Sequence, residues 1–400
     1  MAETIAEFVS EKVNKIRWRP QGPQALQQSD VFVSGSWDNE ENRVRLWHLP
    51  DTPVKTEGVA AKGQLPARAV EPRLLCEVPH QGDVKDLKFL DYDKILAASS
   101  TGNVTLYKHH HNSQTLSVGQ TWESLHHHGG RGCPCTGLAA TLPDIVTVGE
   151  DGRINVVRVD HRAPIRTIDD ADSCTLNAVS LKAFEVITVN SSGQLKVFDL
   201  RRPSSEPTRI FLLSGERIPL HCLDKHPGQP HIVATGGQDG SLYMWDLRQE
   251  RHPVSAMDAH AWDMWEVLFH PTHPDHLFSC SQDGSLWHWD VSMTTATPLA
   301  MATPTASRSL VFLLMKRNRL KFSSICVQFL GTPFPSRLPA ASQAQSSPWL
   351  LAKTGKQKVE VSSLLLDNIM SVNSLDIVGR NVVCGTDGEA IYVVRNINIR

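Results

Sequence analysis

Three groups of residues in this 400-residue chain have types and spacings that could support chemistry. The first is a pair of histidine runs, His109–His111 and His126–His128, followed by Cys133 and Cys135. Imidazole and thiolate are zinc ligands, but this spacing matches no closed four-ligand pattern, and Gly129, Gly130 and Gly132 read as a loop. The second is His260 with Ser279 or Ser281, Asp283 and Trp289. His, Ser and Asp together suggest an activated nucleophile. The third is a pair of similar phrases, Phe198-Asp199-Leu200-Arg201 and Trp245-Asp246-Leu247-Arg248. Each sets a rigid five-donor guanidinium where a chain segment ends, able to engage a carboxylate or a carbonyl. No nucleophile elbow, P-loop, HExxH or dinucleotide fingerprint accompanies them, so the expectation is no catalytic residue, no metal site, no cofactor and no enzyme.

The elements that must hold these residues repeat along the chain. Ile232–Trp245 (IVATGGQDGSLYMW) and Leu277–Trp289 (LFSCSQDGSLWHW) each read as strand, Asp-Gly turn, strand and aromatic-Asp ending. Asp-Gly between alternating apolar runs favours a tight hairpin in which both central residues have φ > 0. The turn glycine recurs at Gly102, Gly152, Gly193, Gly240, Gly284 and Gly388, at intervals of 50, 41, 47, 44 and 104 residues. A first copy, Val31–Trp47, turns through Asp38–Asn42, which makes seven.

Each copy follows another strand-like run: Ile16–Arg19, Val84–Leu90, Cys135–Ala140, Leu176–Leu181, Leu220–Asp224, Met264–His270 and Val372–Val378. Most are followed by a further one, at Arg73–Val78, Pro164–Ile168, Arg209–Leu213 and Val254–Met257. Four short strands per ~40–45 residues is the pattern of a WD40 propeller blade, and such repeats bury their apolar faces only on one another. The expected fold is therefore all-β, a seven-bladed WD40 β-propeller forming one domain over 1–400. The last copy supplies three strands, so Thr4–Ser10 is expected to close the ring as its fourth. Helical periodicity has only a short possibility near Ala6–Lys12. In this architecture His260, Asp283 and Trp289 read as a buried hydrogen-bonded set rather than a catalytic one.

Composition narrows the function classes. The chain is 40% hydrophobic and 20% charged, with a net charge of −2 and no half strongly of one sign, which argues against general affinity for nucleic acid or membranes. Eight scattered cysteines fit reduced thiols, and neither a signal-peptide core nor a run of ~20 apolar residues is present, so the expectation is a soluble cytosolic or nuclear protein without membrane insertion. The one long interval implies an irregular insertion over about 293–357, with Val359–Leu365 as the outer strand of blade six. A degenerate hairpin at Trp349–Val361 is the alternative. Within the insertion, Ser309–Leu330 is apolar and basic, and Lys316–Lys321 (KRNRLK) has the composition of a nuclear-localisation or membrane-surface patch.

Whole phrases go beyond the generic repeat. They are Phe8–Ser10 (FVS), Arg17–Pro20 (RWRP), Gly35–Asn42 (GSWDNEEN), Thr147–Asn155 (TVGEDGRIN), Ala234–Gly240 (ATGGQDG), Met264–Val267 (MWEV) and Asp283–Asp290 (DGSLWHWD). Over roughly Met1–Ser292 and Ser346–Val394 the chain resembles the small WD-repeat nucleoporins of the Y-shaped outer-ring complex of the nuclear pore; over Ser309–Pro335 it does not. The resemblance implies a scaffold without catalysis, located at the nuclear pore and at kinetochores in mitosis. Its implied partners are other Y-complex nucleoporins, especially the helical-solenoid subunits of the short arm. It also implies roles in pore assembly, mRNA export and protein transport.

A second reading starts from Arg201 and Arg248. Such boxes resemble those of WD40 substrate receptors for cullin–RING ubiquitin ligases, which would make a ligase adaptor the partner. Trp262, in the loop before the inner strand of blade six, is a further candidate anchor for a partner.

Overall fold

The apolar alternation and turn residues produce sheets that stack face to face. A computed structural model of the chain describes residues 2–21, 29–50, 71–213, 215, 217–249, 251–292, 347–351, 359–365 and 370–399. Among them, seven four-stranded antiparallel sheets succeed one another as the blades of a β-propeller. The innermost strands are Val13–Trp18, Val84–Phe89, Cys135–Thr141, Leu176–Lys182, Leu220–Lys225, Met264–Phe269 and Val372–Val378.

Burial follows position in the blade. In blade five the middle strands Ile232–Gly237 and Ser241–Asp246 are buried at every residue, because a neighbouring blade covers each face. The outer strand Ser255–Asp258 alternates between buried and exposed. One apolar cluster lies between each pair of adjacent blades. Met244, Met264, Leu277 and Trp289 join blades five and six, and Val33, Leu46, Val84 and Tyr107 join blades one and two. Each fully buried Leu, Val or Phe in these layers stabilises the ring by roughly 1.5–3 kcal/mol.

The ring closes as the strand count requires. Glu3–Phe8 pairs antiparallel with Ala390–Arg395 and becomes the outer strand of blade seven, with Ile5 and Val9 packed against Ile391 and Val393. The short helical stretch considered near Ala6–Lys12 is instead strand as far as Phe8. The edge hydrogen bonds of Ala390–Arg395 and burial of Ile5 outweigh the weak local helix preference. In blade six the outer strand is Glu360–Ser363, paired with Trp287–Asp290.

Pro348–Leu351 forms a short helix, not one arm of a hairpin. Trp349 is buried there, with its ring 5.7 Å from Phe269 and its Nε1 donating to the Pro274 carbonyl at 2.8 Å. Burial of this indole is what overrides the strand-like look of the phrase. Ser309–Leu330, with its KRNRLK run, lies outside the described residues.

The repeated turn differs from the sequence expectation. Gly240 has φ of 75°, but Asp239 before it is not left-handed. The Gly240 N–H donates to the Gly237 carbonyl at 3.1 Å, so the loop is a regular turn followed by one left-handed glycine. The aspartate keeps an ordinary backbone because its carboxylate accepts the Ser241 N–H at 3.1 Å. Gly240 is required for a second reason: a Cβ there would come 2.2 Å from the His260 carbonyl oxygen, so the loop entering blade six rests on this turn.

Candidate functional site

The buried set of blade six assembles from two strands, the turn between them and the loop that enters the blade. Ser279 and Trp289 sit on neighbouring strands, and His260 enters from the loop that rests on Gly240. Trp289 Nε1 donates to Ser279 Oγ at 2.9 Å, and His260 Nε2 lies 2.8 Å from the same oxygen. His260 Nδ1 faces Ser285 Oγ at 2.7 Å, and Asp283 accepts the Ala261 N–H at 2.8 Å. Ser279 is fully buried, so its hydroxyl meets no substrate. Burial alone would raise the Asp283 carboxyl, but the His260 and Ser285 hydrogen bonds and the Ala261 N–H hold it well below the usual carboxylate range. Ser281, the other candidate, donates to the Trp262 carbonyl at 3.1 Å instead.

The histidine runs separate in space. His126 belongs to an equivalent set in blade three, with Nδ1 2.9 Å from Asp151 and Nε2 2.8 Å from Thr147. Sequence reading missed this. The available signal was a histidine 25 residues ahead of the turn aspartate, close to the spacing of His260 and Asp283. Gly129 and Gly130 make a two-residue turn, both with positive φ, between His127–His128 and Arg131–Gly132. Cys133 and Cys135 favour the neutral thiol: burial, then nearby acidic charge, pushes Cys133 to about 11 and Cys135 well above its ordinary value.

His109 and His111 gather instead with Asp93, with one ligand atom from each lying within 4.8 Å of the others. Yet the Arg19 guanidinium, which can only donate, sits 3.0 Å from His109 Nδ1. That nitrogen must accept, so Nε2 carries the proton and faces Gln114 Oε1 at 3.3 Å. Neither nitrogen has a lone pair left for a metal.

Arg201 and Arg248 converge on one groove of about 550 Å³ between blades four and five. Each is held from behind by the aspartate two residues earlier. Arg201 donates from Nε and Nη2 to Asp199 at 2.9 and 2.7 Å, and Arg248 donates likewise to Asp246 at 3.0 and 2.8 Å. The side chains remain 68% and 51% exposed, so the carboxylates fix their aim without removing them from solvent. Trp262 is not part of this groove. It is 60% exposed in the loop entering blade six, at the end of the ring where the Gly240 turn lies, whereas the arginines follow the third strands at the other end.

Two features near the ring axis carried no signal that sequence reading used. Every inner strand has a β-bulge at its second residue: Asn14, Lys85, Thr136, Asn177, His221, Trp265 and Asn373. Bulges re-aim side chains, and these seven, with Trp37, line a mouth of about 310 Å³ at one end of the channel. Several also clip neighbouring blades. Asn14 Nδ2 donates to the Val84 carbonyl at 2.6 Å, Asn177 to Leu220 at 2.8 Å and Asn373 to Val13 at 3.1 Å.

Deeper in, Glu266 accepts from Lys15 at 2.6 Å, from Arg17 Nη2 at 2.7 Å, from Ser374 at 2.9 Å and from the Leu375 N–H at 2.8 Å. One carboxylate of blade six thereby ties blades one and seven. Burial would raise it, but the Arg17 and Lys15 charges bring it down to about 2.

Comparison with known proteins agrees with this architecture. The family model described as "WD domain, G-beta repeat" matches residues 207–246, which run from the outer strand of blade four through the third strand of blade five. The chain is 48% identical over 404 aligned residues to Nucleoporin Nup43 of Mus musculus, covering 99% of this chain and 100% of that protein. It is 47% identical to Nucleoporin Nup43 of Homo sapiens over the same coverage. It is 31% identical to Nuclear pore complex protein nup43 of Dictyostelium discoideum over 127 residues, 31% of this chain and 30% of that protein.

Proposed function

The chain belongs to the Nup43 family of nucleoporins, and from that premise we propose that it is a non-enzymatic scaffold subunit of the outer-ring Y complex. It is a nuclear pore complex subunit, and other nucleoporins are its partners. The finer reading is that one propeller domain spanning 1–400, with its insertion at about 293–357, docks onto helical-solenoid subunits of the short arm. It then contributes to pore assembly, mRNA export and protein transport, and to kinetochore function in mitosis.

The observation that carries this reading is the pairing of near-full-length likeness with a site census that leads to surfaces. His260, Ser279, Asp283 and His126 are consumed by internal hydrogen bonds. The exposed Arg201, Arg248 and Trp262 lie in loops at the ends of the blades, where a rigid ring presents them to other proteins. Affinity capture of the tagged chain from interphase cells should recover outer-ring nucleoporins in stoichiometric amounts, and from mitotic cells the same set with kinetochore proteins. Recovery of none of the outer-ring subunits would overturn the reading.

A second reading, a substrate receptor for a cullin–RING ligase, is motivated by the convergence of Arg201 and Arg248 on one groove. Reversing the Arg201 charge should then abolish capture of the ligase adaptor; unchanged capture would assign the box to structure alone.

A further inference from the structure

We propose that the groove between blades four and five is a docking site for an extended acidic segment of a partner protein. The proposal rests on the reading that the chain acts through protein contacts, and it names one such contact by its chemistry. Six cationic side chains line the groove against two carboxylates, although the chain as a whole has a net charge of −2. Three of the cations have acidic partners: Lys225 pairs with Glu185, Arg201 with Asp199 and Arg248 with Asp246. Arg209 is spent on the Leu247 carbonyl. Lys182 and Arg202 form no salt bridge among the described residues, Arg202 adding only a through-space pull on Asp199, and both are exposed.

The paired arginines are not spent either. Each gives Nε and Nη2 to its aspartate and leaves Nη1 undonated among the described residues. A guanidinium held from behind loses little side-chain entropy on gripping a carboxylate in front, which favours a bound carboxylate over water. Phe184 adds an apolar wall. It is 51% exposed, and the Arg201 guanidinium lies 5.7 Å from its ring centroid. The groove therefore suits a strand-like segment that alternates acidic and apolar side chains.

Charge placement also selects against nucleic acid. A polyphosphate needs a continuous basic track. Here Asp199 and Glu185 stand among the cations, so discrete carboxylates fit between them and a uniform anionic backbone is repelled.

The test uses the full chain and a fluorescein-labelled dodecapeptide alternating Glu and Leu, followed by anisotropy. The peptide should bind, weaken as salt rises, and lose about tenfold or more in affinity in the double variant Lys182→Glu/Arg202→Glu. Among the described residues neither forms a salt bridge and both are exposed, so the variant's thermal melt should stay close to the parent's and a folding defect is separable. A Lys-Leu peptide should not bind. Failure of the Glu-Leu peptide to bind, equal affinity in the variant, or tighter binding of a single-stranded oligonucleotide would each overturn the proposal. The same variant expressed in cells separates the two readings. Recovery of all outer-ring nucleoporins with no loss removes the groove from assembly and leaves the scaffold role standing. Absence of those nucleoporins from the parent capture removes the scaffold role and leaves the peptide result standing.

Discussion

Glu266 at the ring axis and Asp246 at the outer groove are both nearly buried carboxylates bound to arginine, yet they serve different ends. Glu266 is approached by two cations from blade one and by the Ser374 hydroxyl and Leu375 N–H of blade seven, all far from it along the chain. Asp246 is bound by Arg248, two residues away on the same turn. The first arrangement links the beginning, the end and the sixth blade of the ring, and its charges are mostly withdrawn from solvent. The second is local, and its guanidinium stays half exposed. Sequence separation and burial, not residue type, divide an internal staple from a grip held open for a partner.

The comparison can be broken first at the staple. Glu266→Gln leaves Arg17 and Lys15 facing one another without their shared counter-charge, and should cost about 3–5 kcal/mol of unfolding free energy in a urea titration. A cost under about 1 kcal/mol would place Glu266 with the surface pairs.

Acid provides the same break without mutation. Glu266 titrates at about 2 in the folded chain against an ordinary 4.5. Its folded-state value is depressed, so its stabilisation is fully present above the ordinary value and is lost as pH falls from there through about 2. The loss is roughly 3 kcal/mol, and the Glu266→Gln variant should show a shallower decline over that window.

A smaller effect is expected at the buried set of blade six. Ser279→Ala removes the oxygen that accepts from Trp289 and meets His260 Nε2, and should cost about 1–3 kcal/mol by leaving buried groups unpaired. No partner interaction should change, because none of these atoms is reachable from outside.

The smallest stability effects sharpen the comparison from the groove side. Arg201→Gln should leave the thermal midpoint unmoved while weakening the acidic peptide. Trp262→Ala should likewise spare the fold and leave that peptide's affinity intact, because the indole stands at the other end of the ring. A loss of peptide affinity in Trp262→Ala would mean that the two surfaces act together.

Much of the architecture was legible in the chain. The Asp-Gly phrases gave the blade count, and the strand missing after Ala390–Arg395 pointed to the N-terminus as its source. Those features depend on short-range rules: alternation sets which face is buried, and turn residues set where strands reverse. The turn type was misjudged at Asp239 because its carboxylate is engaged with the Ser241 N–H, a side-chain bond that outranks the dipeptide preference. His126 passed for a loop residue near cysteines because its partners, Thr147 and Asp151, become neighbours only once blade three has folded.

By itself, then, the sequence determined the class of molecule, the seven repeats and the closing strand, since each is a property of segments shorter than a blade. It also carried the phrase likeness that leads to the nuclear pore. Only the tertiary structure decided which polar residues are spent inside and which remain for partners. Glu266 meets Arg17 across 249 positions, and Arg201 shares a groove with Arg248 across 47. Coulomb energy and desolvation depend on distance through space and on access to water, and a linear chain specifies neither until its blades have closed.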